Sequence, residues 1–303
     1  MSIYKLHRSF IKGKLSLILS LIVFFAFRFI NKEDYTPLYL WGSSALQVGL
    51  AFLLLYISHR FMIVKERSLL PAFFNLLFVA ANQNSFADII GSSVAMAIAL
   101  CFVFLFSSYK NEEAKVESLN IGILVGLASL YFPTAIMLLP LFWIGMYMMK
   151  SLNIKTFLAN ITGLIVVCSF VFTWSIYNNH NVFSDKVSEL SKAFDFQFLE
   201  FGLKNYIMIG VLALILSLEG FNVFMSGLSE KVQTKTILNY LYLFAVVVII
   251  LSITMSQINS QWNLICFIPL SYLFAHYFTF YDKKINSWLF FLCIAMLIGL
   301  YWL

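Results

Sequence analysis

The sequence predicts an all-α fold, a polytopic transmembrane helical bundle of about eleven spans with its N-terminus inside. Three observations carry this. First, 61% of the 303 residues are hydrophobic and 11% are charged, against about 25% charged in a soluble domain. Second, the apolar runs are continuous, as in Ala245-Val-Val-Val-Ile-Ile-Leu251. A membrane barrel would alternate apolar and polar residues, and a span without backbone partners in lipid must otherwise be helical. Third, Lys and Arg sit mostly in short loops, where they report orientation. The net charge of +6 is therefore not a nucleic-acid footprint, and no nucleic-acid partner is expected.

Taken in order, the first span covers Leu15–Ile30 and follows a basic start, Lys5 to Lys14. No small-residue cleavage pattern follows Phe24-Phe25-Ala26-Phe27-Arg28, so a retained span is expected. A polar loop, Asn31–Pro37, leads to Leu38–Ile57, which ends at His59-Arg60. Leu69–Ala81 is only about 20 Å long as a helix. Asn82-Gln83-Asn84-Ser85 breaks the pattern, Ile89–Phe106 resumes it, and a charged loop covers Tyr109–Ser118. Gly122–Met149 comes next, with Pro133 inside it. Later spans are Phe157–Tyr177, Tyr206–Met225, Ile237–Met255, Leu264–Phe280 and Trp288–Leu303. The chain reads as a single transmembrane domain, 1–303, with an extracytoplasmic amphipathic segment at 178–204.

Gly122–Met149 decides the topology. As one helix it would be about 42 Å long, too long for an ordinary span. If it crosses twice, fifteen Lys and Arg fall in inside loops: Lys5 to Lys14, Arg60 to Arg67, Lys110, Lys115, Lys150, Lys155, Lys231, Lys235, Lys283 and Lys284. Four fall outside: Lys32, Lys186, Lys192 and Lys204. A single crossing reverses everything after it and lowers the inside count to twelve. The positive-inside rule prefers two crossings, with short helices Leu69–Ala81 and Gly122–Phe132 shielded by neighbours or meeting thinned lipid.

Few residues carry chemistry. Arg28 lies in the outer half of the first span. It either snorkels to the interface or binds a lipid phosphate or pairs with Glu33 or Asp34. Asp88 fits an N-cap. Glu219 is an intramembrane acid near a span end; His59 and His276 read as interfacial. Val187, Leu190, Ala193 and Phe194 recur at helical spacing, with Lys186, Glu189 and Lys192 between them. This describes a surface connector lying on the membrane, or a lid that holds His180, Lys186 or Lys192 near an anionic headgroup. Cys101, Cys168, Cys266 and Cys293 lie inside apolar runs and read as small buried hydrophobes.

Gly122-Ile-Leu-Val-Gly-Leu-Ala-Ser-Leu-Tyr-Phe-Pro-Thr-Ala135, followed by Leu138-Leu139-Pro140, resembles a stretch of the GT-C-type membrane glycosyltransferases. Asn82-Gln83-Asn84-Ser85-Phe86-Ala87-Asp88-Ile89 is similar to their break between the third and fourth spans. The likeness covers about residues 15 to 178. It extends to bacterial inner-membrane families that share this core and have no established activity. It implies a multi-pass protein of the cell inner membrane that uses a polyprenyl-phosphate-linked sugar in envelope glycan synthesis. In that superfamily an acid after the first span acts as general base or holds a metal. The matching residues are Glu33 and Asp34, with a divalent cation as one role. Read from position alone, the same acids are a solvated turn at a helix N-terminus. The loop is far shorter than the superfamily's. A non-catalytic subunit derived from the same fold and a lipid or solute transporter are the alternatives.

Overall fold

The computed structural model describes residues 15–30, 36–64, 68–82, 85, 87–177, 188, 210, 231–254, 259–280 and 284–299. Among them are ten α-helices and no strand. These are α1 (Leu15–Ile30), α2 (Pro37–Phe61), α3 (Leu70–Ala81), α4 (Ile89–Ser107), α5 (Lys115–Tyr131), α6 (Leu139–Met148), α7 (Ile154–Tyr177), α8 (Val232–Thr254), α9 (Asn259–Phe280) and α10 (Lys284–Gly299). Five stretches are long and apolar enough to cross a membrane: Pro37–Phe61, Ile89–Ser107, Ile154–Tyr177, Val232–Thr254 and Gln261–Phe280. The expected span Tyr206–Met225 and the segment 178–204 lie outside the described residues, apart from Gly210 and Ser188.

The chain packs as two units. One holds Met1–Ser92, Glu200–Ile249 and Ser260–Leu303. Its centre is α3, whose twelve residues are all buried. At about 18 Å this helix is shorter than a bilayer core. It is covered by α1, α2 and α10, as the shielding expectation required. Phe74 and Phe78 of α3 meet Phe274 of α9 at 5.3 and 5.1 Å, and Phe73 and Phe74 meet Phe290 of α10 at 6.2 and 5.9 Å. The Tyr272 hydroxyl of α9 donates to Leu54 O of α2 at 2.9 Å. Thr234 Oγ1, at the start of α8, donates to Met62 O at the end of α2, and Lys231 Nζ lies 3.7 Å from Met62 Sδ. The loops carrying Arg60 and Lys231 therefore share one end of this unit. The charge count assigned both loops to the inside only if Gly122–Met149 crosses twice.

The other unit holds Ser93–Leu199 and Ile250–Asn259, and it contains that stretch. The helix expected at Gly122–Phe132 begins seven residues earlier, at Lys115. Ser118 joins it because its hydroxyl finds Thr156 O at 2.6 Å. The seventeen residues of α5 reach about 26 Å, so this helix is longer than the short one expected. It stops at Phe132 (φ −133°, ψ 85°), since the residue before a proline is pushed out of the helical region. Pro133–Leu138 forms a 3-10 helix, and the ten residues of α6 follow. The second half of the stretch is thus divided, because Pro140 has no N–H to continue the ladder.

The stretch then returns to the end it left. Lys110 N donates to Met149 O at 2.9 Å, Ser108 and Ser151 hydroxyls are 3.0 Å apart, and Asn153 Nδ2 donates to Glu112 O at 2.5 Å. Helix α7 then runs parallel to α5. Asn160 Nδ2 donates to Ser118 O, and Trp143 Nε1 of α6 donates to Asn160 Oδ1. Gly122 backs onto Asn160, Gly163 onto Leu119 and Ile123, and Gly126 onto Val167. On the exposed side of α7, Thr162, Ser169 and Thr173 donate to carbonyls of their own helix. Such self-satisfaction suits a face that meets lipid.

Candidate functional site

Several buried polar groups of the first unit gather along one face of α2. Leu40, Ser43, Ser44 and Gln47 recur at helical spacing and are all buried. Arg28 of α1 reaches across to them. It is 2% exposed, so it is enclosed between helices and does not snorkel to the interface. Its NH1 donates to Leu40 O at 3.0 Å, to Ser43 Oγ at 3.2 Å and to Ser44 Oγ. Both serine hydroxyls donate in turn to Leu40 O. The guanidinium also lies 4.3 Å from the Phe24 ring centroid, a cation–π contact. One network therefore carries a buried charge, as a low-dielectric site demands.

A recess of about 10 Å³ opens beside Arg28, lined by Phe25, Phe29, Leu40, Trp41 and Ser44. That admits a single water-sized group. Phe29 and Trp41, at its mouth, are 56% and 49% exposed and pack edge to face at 6.0 Å.

One turn along α2, Gln47 Nε2 donates to Ser92 Oγ of α4 at 2.9 Å, and Ser92 Oγ donates to Asp88 O at 2.7 Å. Asp88 Oδ1 accepts the Gly91 N–H at 2.6 Å, the N-cap its position predicted. Sequence reasoning missed Ser43, Ser44, Gln47 and Ser92. The available signal was polar residues at one helical face inside an apolar run.

Glu33, Asp34, His180, Lys186, Lys192 and Glu219 lie outside the described residues. His59 is exposed beside Arg60, whose NH1 donates to Tyr56 Oη. His276, expected at an interface, is instead 5% exposed, with its ring 5.7 Å from Phe280; α9 is enclosed along most of its length. Cys101, Cys266 and Cys293 are buried and Cys168 is half-buried. Among the described residues, no three His, Cys, Asp or Glu side chains gather where a metal could be held.

An all-helical fold, with five helices long and apolar enough to span a membrane and a buried arginine network in one unit, defines the class of protein. The chain belongs to the family of unknown function DUF6427, whose model matches residues 3–302. No curated protein matches the chain, and no solved structure does.

Proposed function

We propose that the protein is a GT-C-like, multi-pass protein of the cell inner membrane that binds a polyprenyl-phosphate-linked sugar in envelope glycan synthesis. In this reading the chain has about eleven spans and an inside N-terminus. The observation that supports it is the Arg28 recess. Arg28, locked between α1 and α2, lines an opening walled by exposed Phe29 and Trp41. A phosphate oxygen is about the size of the open space, and a guanidinium is the side chain suited to it. The exposed rings would flank the prenyl chain. Asp34, with Glu33, would take the proton of the acceptor hydroxyl or hold a divalent cation against the donor phosphate. The acceptor oxygen would then bond to the anomeric carbon while the polyprenyl phosphate leaves with the glycosidic electron pair. His180, Lys186 and Lys192 would sit over the headgroup.

A fluorescent polyprenyl phosphate and the purified protein in nanodiscs test this. Arg28→Lys keeps the charge and loses the fork, and affinity should fall about tenfold. Equal binding by wild type and variant overturns the phosphate site. With binding intact, loss of a surface glycan on Asp34→Asn supports catalysis, and no effect from Glu33→Gln with Asp34→Asn removes it. The brevity of the Asn31–Thr36 connection between α1 and α2 favours a second reading, a GT-C-derived membrane subunit without catalysis. That subunit would bind the lipid and be indifferent to both acid substitutions.

A further inference from the structure

Three buried side-chain oxygens in the first unit have no hydrogen-bond partner among the described residues and lie close in the chain to contacts that draw α2, α4 and α9 together. Gln47 is fully enclosed; its Nε2 is used on Ser92, and its Oε1 has no partner. Ser85 is also fully enclosed, three residues before Asp88, and its Oγ has none. Leu264 Cδ1 of α9 lies 2.9 Å from where a Cβ on Gly91 would stand, so early turns of α4 and α9 abut. Gln261, about one turn before Leu264, has an enclosed Oε1 without a partner.

We propose that Gln47 of α2, Ser85 ahead of α4 and Gln261 in the first turn of α9 form a site for the hydroxyl groups of a sugar head. The amide oxygens only accept, so the missing partner is a donor. An anion would meet these oxygens and the Asp88 carboxylate. A neutral hydroxyl donates to them and brings no charge against that carboxylate. Gln47 follows Ser43 and Ser44 by one turn on the same face, so this site adjoins the Arg28 anchor. The proposal rests on the polyprenyl-phosphate reading above. Water shares the donor chemistry of a sugar hydroxyl, and the experiment separates the two.

Polyprenyl phosphate and its mannosyl and glucosyl esters are titrated into the wild type, Gln47→Leu and Ser85→Ala in nanodiscs, with monodisperse elution as the fold control. Wild type should prefer one glycosyl ester about tenfold over the bare phosphate. Gln47→Leu should reduce that preference to about twofold and leave bare-phosphate binding unchanged. Ser85→Ala, which removes a single oxygen, should lower it in the same direction if Gln47→Leu fails to fold. Preference retained in the variants means ordered water only and overturns the site. A wild type that binds bare phosphate without preference overturns this site alone. A wild type that binds none of the three overturns the phosphate reading and this site together.

Discussion

Helices α3 and α5 are both packed against neighbours, by opposite means. Around α3 the contacts are large rings: Phe73, Phe74 and Phe78 against Phe274, Phe278 and Phe290. Between α5 and α7 they are glycines, with backbone against backbone and hydrogen bonds from Ser118 and Asn160. Lipid gives little hydrophobic drive for helix association, so packing and polar contacts must supply it. Rings fill space with many weak contacts and tolerate small rearrangements. A glycine seam brings backbones close and leaves no slack. The first unit should therefore be plastic where the second is rigid.

The largest expected effect breaks the seam. A Cβ on Gly122 would overlap the Asn160 carbonyl oxygen, which cannot move without its helix. Gly122→Ala should cost about 3 kcal/mol, measured as thermal unfolding in detergent. A smaller loss is expected in the ring cluster. Phe78→Leu keeps most of the volume and should cost about 1.5 kcal/mol. Matching losses at the two sites would erase the contrast. The smallest effect has the opposite sign. Asn75, in the middle of α3, is fully buried, and among the described residues neither amide atom has a partner. Asn75→Leu should raise stability by about 1 kcal/mol; a loss would show that the amide is satisfied in the bilayer.

Helix positions were legible wherever the apolar pattern was uninterrupted. The bounds of α1 match those read from sequence, and α3 and α4 differ by a residue at one end. The exit at Phe132 was legible because Pro133 dictates it. The start of α5 was not, because Lys115 and Glu117 look like loop until Thr156 is seen to accept from Ser118. The start of α9 was not either: Asn259, Ser260, Gln261 and Asn263 do not resemble a membrane helix, yet the helix begins at Asn259. Asp88 followed from local capping chemistry. Arg28 could be placed in its span by sequence, but its direction depended on Ser43 and Ser44 of the next helix. Distance to the chain's own polar loop is a poor guide when a neighbouring helix offers acceptors.

The claim on which the side of every loop after α5 depends is that residues 115–148 form a helical hairpin whose basic ends face the cytoplasm. Single cysteines at Tyr131, Lys115, Lys150 and Lys231, in a background with the four native cysteines changed to alanine, test it with a membrane-impermeant maleimide. Tyr131, 65% exposed at the break, should label on intact cells. The other three should label only after the membrane is permeabilised. Lys115 and Lys150 labelling from opposite sides would contradict the hairpin, and with it the side assigned to every later loop.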